Sequence, residues 1–147
     1  MSLRIAVASD HAGFGLKSRV CAYLKDRAGV TLVDLGPASA ERCDYPDYAA
    51  ACARHLQSGQ ADLGVLICGS GIGISIAANR FRGIRAALVQ SPLMAQLARE
   101  HNDANILCLG SRLVGDLVAF ESIEAFIETE FAGGRHAGRV AKIELEE

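Results

Sequence analysis

Cys68 stands directly before three glycines on alternate positions, Gly69, Gly71 and Gly73, with Ser70 between the first two. A thiol can act as base or nucleophile, and alternating glycines let a backbone take positive φ and turn its N–H groups outward. Ile74 to Phe81 follows in a helical composition, so the loop also faces the partial positive charge of a helix start. Together these features favour a thiolate and attract an anion. Two familiar anion loops fail on spacing. A Walker loop needs a Lys-Ser/Thr pair after its last glycine, whereas Gly73 is followed by Ile74 and Ser75. The dinucleotide fingerprint G-x-G-x-x-G/A meets Ile74 or Ile76 where its last small residue belongs. The spacing equally fits a buried strand cysteine ahead of a tight turn.

Other reactive types lie at the ends of apolar segments. Asp10-His11 follow Ile5 to Ala8, Arg112 follows Asn105 to Leu109, and His101-Asn102 close a helical stretch. Arg135, Arg139 and Lys142 fall at i, i+4 and i+7 on one helical face. Two arginines a turn apart suit a phosphate clamp, and the same pattern fits a solvated basic face.

The elements that must position these groups alternate along the chain. Ile5 to Ala8, Thr31 to Leu35, Leu63 to Cys68, Ile84 to Val89 and Asn105 to Leu109 read as strands. Between them lie a helix carrying Leu16, Val20, Tyr23 and Leu24 and stopped by Gly29, one opened by Pro46, the one after the glycine loop, and one opened by Ser91-Pro92. Phe120, Ile123, Ile127 and Phe131 predict the buried stripe of a long helix ended by Gly133-Gly134, and Arg135 to Lys142 can be helical. Five strands in this alternation predict one three-layer α/β domain over residues 1–147 with a parallel sheet. Ligands of such sheets sit outside the carboxyl ends of the strands. That rule gathers Asp10, His11, Cys68, the glycines and Arg112, but it leaves out His101 and Asn102, which precede the fifth strand. A symmetric partner can bring those two in.

Bulk properties narrow the field. The 147 residues are half apolar, enough for one core, and the net charge of −2 makes no case for nucleic acid or a membrane surface. Five cysteines without a C-x-x-C pair, and four histidines without H-E-x-x-H, indicate neither a disulfide framework nor a metal site. Ile5 to Ala8 is too short for a secretory leader and no stretch approaches a membrane span, so a reducing cytoplasm is expected.

Several motifs in order resemble the ribose-5-phosphate isomerase B and galactose-6-phosphate isomerase family of sugar-phosphate isomerases. They are Ser9 to Phe14, Asp44-Tyr45-Pro46, Ile67 to Arg80, Gly83 to Ala86, Arg99 to Asp103, Gly110-Ser111-Arg112, and Gly133 to His136 with Arg139-Val140. The resemblance spans nearly the whole chain and implies a five-stranded Rossmann-like α/β/α fold without nucleotide, metal or organic cofactor. It implies interconversion of ribose 5-phosphate and ribulose 5-phosphate through an enediolate, with Cys68 as the base. Ile74 occupies the position where one branch of the family carries a glutamate base, which puts the chain in the cysteine branch. Ser70, often Thr in the family, would relay a proton between sugar oxygens. The backbone of Gly69, Gly71, Ile72 and Gly73 would hold the enediolate, and His101 would open the sugar ring. Taken alone, His101 also reads as a satisfied helix-end histidine. Asp10 and Asn102 would hold hydroxyls, Tyr45 would line the pocket, and His11, Arg112, Arg135 and Arg139 would gather the phosphate. The expected assembly is a homodimer with shared active sites, able to pair into tetramers, with residues 135–147 at the interface. A hexose 6-phosphate such as allose or galactose 6-phosphate is the alternative substrate. A noncatalytic phosphosugar-binding subunit is the further alternative, against which the retained Cys68, Ser70 and His101 count.

Overall fold

The unbroken apolar run Leu63–Cys68 forms the central strand β3, and all six of its residues are buried. The computed structural model describes residues 2–145. Around β3 the strands are β1 (Leu3–Ser9), β2 (Val30–Asp34), β4 (Ala86–Leu88) and β5 (Ile106–Gly110). The helices are α1 (Phe14–Lys25), α2 (Tyr45–Gln57), α3 (Ile72–Ala78), α4 (Pro92–Asn102), α5 (Asp116–Glu128) and α6 (Arg135–Ala141). All strand pairs are parallel, in the order β2-β1-β3-β5-β4. The strand order reverses between β1 and β3, so their carboxyl ends flank a topological switch point.

Alternation along the strands splits the core in two. Ile5, Val7, Val65, Ile67, Leu107 and Leu109 face one way and pack with α1, α4 and α5. Ala6, Ala8, Leu66, Cys68, Ile106 and Cys108 face the other, toward α2 and α3. Three layers result, as the alternation predicts. The second face is lined by smaller residues, so α2 approaches closely: a Cβ on Gly64 would lie 2.6 Å from Cys52 Sγ. Among the described residues no helix is long and apolar enough to cross a membrane.

Besides α1, which ends at Lys25 with Asp26 as its cap rather than running up to Gly29, two elements depart from the sequence reading. The last strand pair is shorter than Ile84 to Val89, because only Ala86–Leu88 pairs with β5. The Asn79 side chain stands in for the missing neighbour of this edge strand, accepting from Ala86 N–H (2.7 Å) and donating to its carbonyl (2.9 Å). The long helix stops at Glu128, with Phe131 beyond it. Its buried face is Ala119, Ser122, Ile123 and Phe126, where small Ala119 and Ser122 alternate with large Ile123 and Phe126, and Phe120 and Ile127 are only partly covered. Thr129 turns to extended backbone, its hydroxyl donating to the Ala125 carbonyl (2.6 Å) and its own carbonyl accepting from Arg99 Nε (3.2 Å).

Lys17 is buried on α1, and its ammonium donates to Asp34 Oδ1 at 2.8 Å. That same oxygen accepts the Gly36 N–H (2.9 Å), and the Gly36 carbonyl accepts the Ser9 N–H (3.1 Å). The chain of contacts anchors the end of β1, from which Asp10 projects. Burial works against the Asp34 charge, but the Lys17 and Gly36 hydrogen bonds outweigh it and hold the carboxyl below its usual range. A depressed carboxyl contributes stability above the unfolded value, near about pH 4, and loses it as pH falls through the folded value. Asp34→Asn is therefore expected to cost about 1–3 kcal/mol at neutral pH. Urea unfolding of both proteins should show that deficit closing below about pH 3.

Candidate active site

Cys68 ends β3, only 5% exposed, and its sulfur accepts the Gly71 N–H at 3.1 Å. Gly71 adopts φ 76° to make that contact and leads into α3. The Gly71 N–H is thus directed at the sulfur, and the Ile72 N–H is directed at the Ser70 hydroxyl (3.2 Å). The sulfur opens on a cleft of about 430 Å³ lined by Asp10, His11, Tyr45, Cys68, Gly69, Ser70, Gly73 and Arg112, with Ala12 and Leu113. Each polar member comes from the carboxyl end of a strand or from the start of α2.

Local contacts fix these members. Asp10 is buried and its Oδ1 accepts the Gly13 N–H (3.0 Å), closing a tight turn before α1. His11 Nδ1 lies 3.0 Å from the Cys43 carbonyl oxygen and 3.2 Å from the Cys43 nitrogen. Whichever tautomer it takes, Nδ1 is engaged by the Cys43 backbone and Nε2 is the nitrogen left for a ligand. Tyr45 lies over Gly73, where a Cβ would come within 2.8 Å of the ring. The Arg112 N–H donates to the Gly69 carbonyl (3.0 Å), and its guanidinium lies over Gly69, 3.0 Å from where a Cβ would stand.

His101, Asn102 and Arg139 line a different cleft of about 380 Å³, with His136, Val140 and Ile143. The two clefts share no lining residue. Topology separates them. A helix joining parallel strands ends at the amino end of the next strand, so the end of α4 lies at the opposite end of the sheet from Cys68. Arg135 lines neither cleft, and α6 as a whole has no buried residue.

The sequence reading missed what holds His101-Asn102 in place. Asp103, next in the chain, takes the left-handed conformation with φ 46°. Its carboxylate meets Arg99 Nη1 (3.0 Å) through one oxygen and Arg85 Nη2 (3.3 Å) through the other, and Arg85 Nε donates to its carbonyl (2.8 Å). Arg99 also donates to the Ala104 carbonyl (2.6 Å) and lies over the Phe126 ring. The acid and arginines flanking the His-Asn pair, visible in the motifs from Gly83 and from Arg99, are thus its brace.

A family model described as Ribose/Galactose Isomerase matches residues 5–143. The ribose-5-phosphate isomerase B of Escherichia coli strain K12 is 49% identical over 140 residues, covering 95% of this chain and 93% of that protein. The solved ribose 5-phosphate isomerase of Thermotoga maritima superposes with a TM-score of 0.95 at 51% identity, covering 98% of this chain and 99% of the other. The ribose-5-phosphate isomerase B of Clostridium thermocellum superposes at 0.94 with 48% identity, covering 96% and 95%.

The Asp103 brace predicts a graded series. Asp103→Ala should cost about 2–3 kcal/mol, combining lost charged hydrogen bonds with a side chain forced into the left-handed region. Asp103→Asn, which tolerates that backbone, should cost less, as read from urea unfolding midpoints.

Proposed function

Because the chain belongs to the ribose/galactose isomerase family, we propose that it interconverts ribose 5-phosphate and ribulose 5-phosphate, a step of pentose phosphate metabolism in the reducing cytoplasm. The observation that carries this reading is the Cys68 sulfur, opening on the cleft with a backbone donor at 3.1 Å and with Ser70, Asp10, His11 and Arg112 around it.

Starting from the aldose, the Cys68 thiolate takes the proton from C2 as the carbonyl oxygen on C1 gains negative charge. The result is a thiol and an enediolate. The thiol returns the proton to C1, while the Ser70 hydroxyl carries a proton from the C2 oxygen to the C1 oxygen. The Gly71 N–H is fixed for the anionic sulfur at the start and end of the cycle. Loop N–H groups of Gly69 to Gly73 that are not committed to Cys68 or Ser70 stabilise the enediolate. Asp10 and Asn102 hold hydroxyls and Tyr45 covers the sugar. His11, Arg112, Arg135 and Arg139 hold the phosphate. His101 serves the earlier step, moving the proton that opens the furanose ring.

This division of labour needs both clefts around one substrate, so the working unit is a homodimer in which each site takes Cys68 from one subunit and His101 from its partner. Ile72 and Ile76, one turn apart on α3 and 49% and 61% exposed, supply apolar surface beside the glycine loop for that contact. The segment 135–147 packs at this interface; Glu146 and Glu147 lie outside the described residues.

Cys68→Ala should abolish ketose formation from ribose 5-phosphate while affinity for a phosphorylated sugar stays within about threefold, because phosphate and carbon are held by different groups. Loss of binding together with turnover would make Cys68 structural. A higher kcat/KM on a hexose 6-phosphate would assign the pocket to the longer sugar. Shared sites predict a second result. Cys68→Ala and His101→Ala proteins, each inactive on ribose 5-phosphate, should recover about a quarter of wild-type activity when their subunits are reassorted. Half of the dimers are then mixed, and one of their two sites is intact. No recovery would place both residues in one subunit's site.

A further inference from the structure

The His101 imidazole sits at the end of a helix, where rotation about its outer side-chain torsion is broad, so something must hold the ring. Its neighbour is His136. The two rings stack with centroids 4.5 Å apart and planes 15° from parallel. Both line the same cleft. The chain makes a specific effort to bring His136 there. The Ala132 N–H donates to the Glu100 carbonyl (3.0 Å), tying the approach to α4 one residue before His101. Gly133 and Gly134 then turn the backbone with φ 64° and 53°, a pair of conformations that side chains resist, and the His136 N–H closes the turn on the Gly133 carbonyl (2.9 Å). On α6 only His136 and Val140 are even half-buried, both beside this cleft.

We propose that His136 is a positioning residue for His101, a neutral aromatic platform whose stack fixes the plane of the imidazole that opens the sugar ring. This rests on the reading of His101 as the ring-opening group. The surroundings suit the role. Desolvation, then the positive charges of His101, Arg135 and Arg139, hold the His136 imidazole below its ordinary value, against an opposing pull from Glu100. The same charges disfavour a cationic His136, so the face it offers to His101 is that of a neutral aromatic ring. A protonated His101 over a neutral aromatic face is a favourable arrangement, so the platform also tolerates the change of charge that proton transfer requires.

Two rates separate this role from general damage. Conversion of ribose 5-phosphate needs ring opening. Washing solvent deuterium into C1 of ribulose 5-phosphate needs only the enediolate step at Cys68, because this ketose has no free hydroxyl to close a furanose. His136→Ala should lower ribose 5-phosphate turnover by about 10- to 100-fold while deuterium incorporation stays within about twofold of wild type, and His136→Phe should restore most of the turnover. A Phe variant as slow as the Ala variant would overturn the proposal, because His136 would then act through its nitrogens, as a phosphate ligand would. Parallel loss of both rates in His136→Ala would also overturn it, by making the residue merely structural. His101→Ala is the control for the underlying reading. If it slows both rates equally, the ring-opening assignment itself fails and the platform falls with it. If it spares deuterium incorporation while His136→Ala changes nothing, only the platform fails.

Discussion

Main chain meets main chain where β1, β3 and β5 end, and the site depends on nothing larger than hydrogen standing between them. A Cβ on Gly13 would lie 2.5 Å from the Ile67 carbonyl oxygen, and one on Gly110 would lie 2.6 Å from the Ser70 carbonyl. These approaches let the loops bond directly. The Asp10 N–H reaches the Ile67 carbonyl (3.2 Å), the Ser111 N–H reaches the Cys68 carbonyl (2.9 Å), and the Ser111 hydroxyl reaches the Ala12 carbonyl (2.9 Å). Three loops are thereby locked into one rigid rim, and Asp10, Cys68 and Arg112 inherit fixed relative positions from backbone contacts rather than from their own side chains. Close packing of this kind tolerates little added volume, which is why each loop carries a glycine, Gly13, Gly71 or Gly110, at its point of close approach.

The same parallel topology that assembles the Cys68 cleft keeps His101 and Asn102 out of it. Each helix returns the chain to the amino end of the sheet, so α4 delivers His101 and Asn102 far from the switch point where Cys68 lies. Both clefts are nonetheless firmly braced. Two arginines are spent on bracing Asp103, and a glycine pair turns α6 onto the end of α4. The proposed homodimer gives this second cleft a use, because a symmetric, self-complementary interface can bring it to the Cys68 cleft of the other copy.

What was legible in the sequence follows from how local the determinants are. The three layers and the five strands were readable because apolar runs, Pro46 and Ser91-Pro92 act within a few residues; the Ser91 hydroxyl does accept the Met94 N–H, at 3.2 Å. The candidate cleft was readable because carboxyl ends of parallel strands gather whatever polar residues follow them. The length of α5 was not readable, since it is set by an arginine from α4 that binds the Thr129 carbonyl. Nor could spacing show that Arg85 and Arg99 converge on one carboxylate, or that His136 lies flat on His101, because these contacts are made between elements distant in sequence. The arginine pair of α6 is the intermediate case: the helix and its exposed basic face were predicted, but only Arg139 reaches a cleft within one chain.

Cysteine is the clearest example of chemistry that residue type alone does not assign. All five cysteines are free thiols, and sequence position gave Cys68 its distinction only through the glycines beside it. In the fold the others divide by environment. Burial pushes the Cys52 thiol up to about 12 and raises that of Cys108 well above the ordinary value, while burial and then the Asp34 charge push Cys21 up to about 11. These three stay protonated at neutral pH and serve as small apolar fillers. Cys43 presents its backbone to His11. Cys68 shares a face of the sheet with Cys108 and packs in the same core as Cys52 of α2, yet it alone of the three opens on the cleft, at a strand end where the chain turns back and offers its sulfur an N–H. The proton transfer at carbon proposed for Cys68 needs both an opening toward the substrate and a fixed donor, and the end of β3 is where this sheet provides the two together.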